Sequence, residues 1–358
     1  MTELKQLSAA QLTEPITDQW RTLSRTDRYL HSPFFQPEYT QAVAAVRDDV
    51  EVALLYDHDQ LQAVFPFQRA DGGLARNVCS RLSEFHGPLT RPGFQVDIRS
   101  LLDRLGLRYW QFDHLPLPND SLSSEVWGES GSPFIDLSDG FEAWLNTKKA
   151  QKSSSITQTL RKARKAAREI GPLRFHYDAV DPVAFESLLR WKDAQHQRTG
   201  RLRVLQYDWL KQLLQNLMEE RGQRPLGLFS TLYAGDQLLA VHLGLRTEQV
   251  IHLWFPAYDP AFERYSPGLI LLMELLKVAA DDGVERFDLG KGRERYKASF
   301  KSGDIPLGEG AVDLRPVCGP LRKGWYRTKR HIRQSRFRKQ LEWPLEWTRA
   351  VRQKIAFD

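Results

Sequence analysis

Three short, mostly apolar stretches follow one another in the second half of the chain, Leu226–Tyr233, Leu238–Leu245 and Val250–Phe255, separated by polar residues. Apolar runs of this length between turn signals predict three strands. The first two are joined by Ala234-Gly235-Asp236-Gln237, a sequence that favours a tight hairpin turn. Ahead of them, apolar positions spaced for one helix face predict helices over about Pro182–Gln197 and Tyr207–Arg221. After them, the apolar run from Ser266 to Ala280 predicts a helix, and Glu285–Leu289 a strand. Helix, helix, antiparallel meander, helix, strand is an α+β order with a mixed, mostly antiparallel sheet, not a doubly wound parallel one.

The first half carries the same pattern. The stretch LYDHDQLQAV at Leu55–Val64 matches LYAGDQLLAV at Leu232–Val241 in seven of ten positions, 177 residues apart. Pro92-Gly93 and Pro267-Gly268 each open a helix-like stretch, and Phe112-Asp113 and Phe287-Asp288 each end a strand. Both of these pairs are 175 residues apart. Hairpin, helix start and final strand thus recur in one order, and a duplicated α+β domain accounts for it. The expected division is 1–145, 146–316 and a basic helical tail over 317–358. The first copy begins near His31–Ala44, and the basic run Lys148–Arg168 bridges the copies as a helix.

A length of 358 residues fits two domains, and 41% hydrophobic residues are enough to fill their cores. The densest apolar run, Leu269–Ala280, contains Glu274 and Lys277. It falls short of the roughly 20 residues of a membrane span. No basic region followed by an apolar one opens the chain, so no secretory signal is expected. Two cysteines, Cys79 and Cys318, exclude a disulfide framework. The expectation is a cytoplasmic protein. The net charge of +6 is uneven: from Pro320 onward twelve Lys/Arg face three acids, giving +9 and leaving −3 for the rest. Eight cations and no acid occupy Lys148–Arg168. Trp325, Trp343 and Trp347 interleave with the tail's cations, on either side of Pro344. Interfacial segments have that composition, so a peripheral contact of 320–358 with the inner membrane is a second expectation.

Candidate chemistry gathers in the second copy. Ser266 is a preferred N-cap and Pro267 suits a first helical turn, so a helix N-terminus with Gly268 is ready to receive a pyrophosphate. Pro256 cannot donate to a ladder and tends to part neighbouring strands, which leaves backbone N–H groups for an extended ligand or a thioester carbonyl. In Phe287–Lys301, Asp288, Lys291, Arg293, Arg295, Tyr296, Lys297 and Lys301 crowd a strand end beside Gly290 and Gly292. His242 and His252 interrupt apolar strands; His242 stands where the first copy has Phe65, and histidine is the usual general base near neutral pH. His196 lies among Lys192, Arg198 and Arg201, a cluster suited to phosphate or acid. No Walker A run, G-x-S-x-G, H-E-x-x-H or C-x-x-C occurs, so metal or phosphoryl-transfer chemistry has no sequence support.

The ordered set Ala257-Tyr258-Asp259-Pro260, Tyr265-Ser266-Pro267-Gly268, Phe287-Asp288-x-Gly290-x-Gly292 and Tyr296-Lys297-x-x-Phe300 resembles the GNAT-superfamily acetyltransferase domain of bacterial cellulose- and exopolysaccharide-biosynthesis proteins. His31–Val43 and the helix around Leu160–Glu169 are similar to that family too, and the likeness runs to about Arg315. The family is related to the Fem-type peptidoglycan aminoacyltransferases, which carry two GNAT-like domains in tandem. The resemblance implies acyl transfer from acetyl-CoA or another acyl-CoA, without a metal, to an amine or hydroxyl of a sugar or polysaccharide precursor. Trp254, Phe255, Tyr265, Ser266, Pro267 and Gly268 would hold the donor. Asp288 or His242 would act as base, and Tyr258 or Tyr296 would protonate the leaving thiolate. Lys192, Gln195, Arg198, Arg293 and Lys297 would hold the acceptor, with Ser80–Leu89 of the first copy as a wall. Where the superfamily's phosphate cradle is a basic, glycine-rich loop, this chain has Glu263–Gly268. Two alternatives are an aminoacyl-tRNA donor, the only reading that involves nucleic acid, and a non-catalytic membrane-surface accessory of a polysaccharide complex.

Overall fold

The duplicated phrase folds as two hairpins of one kind. The computed structural model describes residues 2–292, 294–316, 318, 319, 321, 322, 324 and 326. They form two compact units, 1–30 with 34–130 and 306 onward, and 31–33 with 131–305. Arg293, Trp325, Trp343, Pro344, Trp347 and nearly all of the expected tail helix lie outside the described residues.

The first unit runs through β1 (Glu3–Ser8), α1 (Glu14–Ser24), α2 (Pro37–Ala44), β2 (Val50–Asp57), β3 (Gln60–Ala70), β4 (Leu74–Arg76), β5 (Leu89–Thr90), α3 (Ile98–Arg104) and β6 (Tyr109–Pro116). Along β7 (Val126–Asp136) the chain passes to the second unit, between 130 and 131. There it builds α4 (Phe141–Ala150), α5 (Ser154–Glu169), β8 (Leu173–His176), α6 (Pro182–Arg198), α7 (Asp208–Glu219), β9 (Gly227–Ala234), β10 (Gln237–Arg246), β11 (Val250–Tyr258), α8 (Pro267–Asp281), β12 (Arg286–Asp288) and α9 (Arg295–Phe300). Along β13 (Gly303–Asp313) the chain returns between 305 and 306, and Leu307–Asp313 pair antiparallel with β6.

Each unit therefore repeats strand, two helices, hairpin, strand, helix, strand. The hairpins close over two residues, with Asp57 opposite Gln60 and Ala234 opposite Gln237. The first turn residue is left-handed in both, His58 at φ 52 and Gly235 at φ 54. In each unit the last two strands of the repeat run parallel, β4 with β6 and β11 with β12.

In the second unit the sheet order is β7-β12-β11-β10-β9-β8. Helix α8 is apolar on nearly every side and packs on β9, β10 and β11, as a helix buried all round must. Leu228 belongs to the α8 core, whereas the next residue, Phe229, meets Phe185 of α6 edge-on at 6.1 Å. Successive strand residues face opposite sides, so α6 and α8 cover opposite faces of the sheet. The basic run is not one helix: it breaks between α4 and α5, where Lys152 has φ 54. Among the described residues no helix is long and apolar enough to cross a membrane.

Candidate active site

Strands β11 and β12 pair over three residues only, Val250–His252 with Arg286–Asp288. Beyond His252, β11 keeps its ladder to β10 as far as Tyr258 opposite Ala240, while its other edge has no strand partner among the described residues. The strand continues two residues past Pro256, because proline is tolerated along an edge. Two features hold this parted segment. The ladder shifts register between Leu243 and Leu245, and Lys192 Nζ of α6 donates to the Pro256 carbonyl at 3.0 Å.

The short 3-10 helix Pro260–Tyr265 leads from β11 into α8. Ser266 does not cap as its residue type predicts: it sits in the left-handed region at φ 55, ψ 55, and its hydroxyl does not cap the helix. Instead Lys162 Nζ of α5 donates to Ser266 Oγ at 2.7 Å. Tyr265 is buried; its hydroxyl donates to Glu169 at 2.9 Å and accepts from Arg264, which fixes the approach to the helix. A Cβ on Gly268 would lie 3.6 Å from the Tyr258 ring, so the helix start and the end of β11 are neighbours. Trp254 and Phe255, within the segment, are both buried, edge to face at 4.8 Å.

Asp288 and His242 are fully buried. Both oxygens of Asp288 accept from Arg286, at 2.9 and 3.2 Å, and His252 Nδ1 lies 4.0 Å away. The carboxylate is the anionic half of a buried ion pair, out of an acceptor's reach. The ring of His242 lies over Gly244, where a Cβ would be 2.4 Å from Cε1 and 2.6 Å from Nε2. Neither ring nitrogen of His242 has a hydrogen-bond partner among the described residues. Burial, then the charges of His252 and Lys192, push its pKa down to about 3. Such an imidazole is neutral at physiological pH and a weak base. Lys297 is also committed, donating to the Gly290 carbonyl at 2.9 Å and lying 3.3 Å from Glu294. Tyr296 packs edge-on against Phe300 at 6.0 Å.

On the other face of the sheet, α6 and the end of β11 enclose a pocket of about 150 Å³. Trp191, Gln195 and Arg198 line one side, and Ala257, Tyr258 and Pro260 the other. Gln195, Arg198 and Tyr258, named separately by the sequence, thus meet in one hollow. His196, one residue from Gln195, is 7% exposed and turned inward; burial and the charges of Lys192 and Arg201 lower its pKa to about 4. Lys162 and Trp191 carry no distinct signal in the sequence. Lys162 is one cation in a run of eight, and no spacing in the sequence ties α5 to Ser266. Trp191 is one of several apolar residues in α6.

In the first unit the parallel pair covers only Leu74–Ala75 with Tyr109–Trp110, and beyond it, among the described residues, His86 meets the backbone of β6. Nε2 of His86 accepts from the backbone N–H groups of Asp113 and His114, at 3.0 and 3.2 Å. His86, Asp113 and His114 are the one group of potential metal ligands among the described residues. The Nε2 lone pair of His86 is already engaged by backbone donors, so the trio does not fit a metal.

Residues 154–298 match the family of acetyltransferase (GNAT) domains. The fold is GNAT-like. The C-terminal domain of a lysylphosphatidylglycerol synthetase from Agrobacterium fabrum is similar at 12% identity and TM-score 0.52, over 88% of this chain and 96% of that one. FemX is similar at 9% identity and TM-score 0.59, over 88% and 98%. A conserved protein of unknown function from Bacteroides thetaiotaomicron is similar at 10% identity and TM-score 0.50, over 88% and 100%. At these identities the likeness concerns fold alone. No curated protein matches the chain.

Proposed function

We propose that the protein is an acyltransferase that moves an acetyl or other acyl group from acyl-CoA to an amine or hydroxyl of a sugar or polysaccharide precursor. The observation that carries this is the open edge of β11 beyond His252, which ends beside the N-terminus of α8. An extended thioester-bearing arm could complete the ladder of that edge, and backbone N–H groups left without a strand partner there could stabilise the charge gained by the thioester carbonyl oxygen. The diphosphate of the donor would lie at the start of α8, where the helix dipole favours anions.

In the step itself, the acceptor nitrogen or oxygen bonds to the thioester carbon as the carbon–sulfur bond breaks. The sulfur keeps the electron pair and takes a proton from the Tyr258 hydroxyl, while the acceptor's proton passes to water. Lys192 holds the Pro256 carbonyl and so fixes the segment against which the thioester lies. Trp254 and Phe255 anchor that segment by their own burial, and buried Tyr265 fixes the turn that follows it; Ser266, Pro267 and Gly268 would form the phosphate end.

A second reading, an aminoacyl-tRNA donor, is favoured by α5, where exposed Arg161 and Arg164 have no partner among the described residues. Calorimetric titration with acetyl-CoA tests the first reading, alongside Gly268→Trp, whose indole would fill the space in front of Tyr258. Binding that this variant loses supports the donor position. An absence of binding to the unaltered protein overturns acyl-CoA as donor and favours the tRNA.

A further inference from the structure

We infer that the pocket between α6 and the end of β11 is an acceptor subsite for a six-membered ring that carries an anionic group, a carboxylate or a phosphate. Its size points to the ring. A cavity of about 150 Å³ accommodates a benzene-sized group. Trp191 and Tyr258 offer flat aromatic faces on which the ring can lie.

The anion follows from which polar groups are left over. Most cations around the pocket are already engaged. Lys192 is held by the Pro256 carbonyl, Arg201 by Glu294 at 3.4 Å, Arg203 by Asp193, and Lys297 by Gly290 and Glu294. Arg198 is different: it is exposed in the pocket wall and forms no ion pair or hydrogen bond among the described residues. The carboxamide of Gln195 likewise has no partner among the described residues. No lining residue is acidic. Hence a guanidinium and an amide line one wall with their hydrogen-bonding capacity unspent, on ground where the only charge is positive. A planar guanidinium binds carboxylate or phosphate through two parallel hydrogen bonds, which a neutral ring cannot return. Tyr258 lies both in this pocket and beside Gly268, so a ring held here has its remaining groups next to the donor's path.

This inference rests on the acyltransferase reading for the name acceptor, and the experiment separates the two. Saturation-transfer NMR and calorimetry are run with glucose 6-phosphate, glucuronate and glucose, on the full chain and on Arg198→Ala and Trp191→Ala. Each sample is also titrated with acetyl-CoA. The expected result is that at least one charged sugar binds about tenfold or more tighter than glucose. Arg198→Ala then removes that preference, and Trp191→Ala weakens all three sugars. The phosphate and the uronate arms show which anion the subsite takes. Equal binding of glucose and both charged sugars, binding of none of them, or a preference that survives Arg198→Ala overturns the subsite. If acetyl-CoA still binds in those cases, the donor reading stands. If the sugars behave as expected and acetyl-CoA does not bind, the donor reading falls and the subsite remains.

Discussion

Lys162 Nζ lies 2.7 Å from Ser266 Oγ, so a helix far upstream in sequence delivers a cation to the N-terminus of α8. Of the segment Glu263–Gly268, Arg264 is the sole cation, and it is turned to the Tyr265 hydroxyl. Lys162 therefore occupies the place where a basic loop would serve a diphosphate. Replacing it by alanine removes one charge-assisted contact, and the affinity for acetyl-CoA is expected to fall about tenfold to a hundredfold. Titration at two salt concentrations checks this: the variant should also lose part of the salt dependence. An unchanged dissociation constant would place the phosphates elsewhere.

The ion pair of Arg286 and Asp288 predicts a large stability effect. Arg286→Met leaves a fully buried carboxylate without its partner, which costs about 3–5 kcal/mol. The double variant Arg286→Met/Asp288→Leu removes the orphaned charge and should recover most of that loss. Urea unfolding of the three proteins measures it. A single variant within about 1 kcal/mol of the parent would mean that water reaches Asp288.

His242 makes folding sensitive to acid. Its pKa is pushed down to about 3 in the folded chain, against about 6.5 when unfolded. Below pH 6.5 the unfolded chain takes up a proton that the folded one refuses. Stability that is full above pH 6.5 is therefore lost as pH falls towards 3, by up to about 1.4 kcal/mol per unit. His196, lowered to about 4, acts in the same direction. Between pH 7.5 and 5.0, His242→Leu should flatten the loss by about 2 kcal/mol in urea unfolding. Parallel curves for parent and variant would show that the imidazole can be protonated in place.

Local pattern was enough to find the elements of the second unit. Short apolar runs between turn residues and the 3.6-residue period of a helix face are local features, so they place β9, β10, β11, α6, α7 and α8 within a few residues. The repeat was visible for the same reason, since a hairpin's turn and its flanking alternation are local. What local pattern does not carry is the meeting of distant residues. Lys162 reaches Ser266 across 104 residues, and β13 completes the first unit after the second has been built. Nor does residue type tell a buried ion pair from a catalytic acid. Asp288 looks like a base until Arg286, on the same face of the strand two residues away, is seen to hold both oxygens. Gln195, Arg198 and Tyr258 came closest, because α6 spacing sets the first two on one face and the end of β11 lies opposite.

Tyr258 offers the most direct test of the chemistry. Its ring stands between the α6 pocket and Gly268, and its hydroxyl has no partner among the described residues. That position suits a group that gives a proton to a departing thiolate and regains one from water. Tyr258→Phe keeps the ring, so binding of acetyl-CoA and the melting temperature should change little. Release of the CoA thiol, followed with a chromogenic disulfide in the presence of an acceptor, should slow by about a hundredfold or more, the ordinary contribution of a general acid. The loss should appear in kcat rather than KM, because the hydroxyl acts on the leaving group and not on the bound donor. A thioester whose thiol is more acidic needs less help to leave, so the variant's deficit should shrink with it. If the deficit stays the same for both thioesters, or if it lies in KM, the hydroxyl binds the acceptor instead of protonating the thiolate.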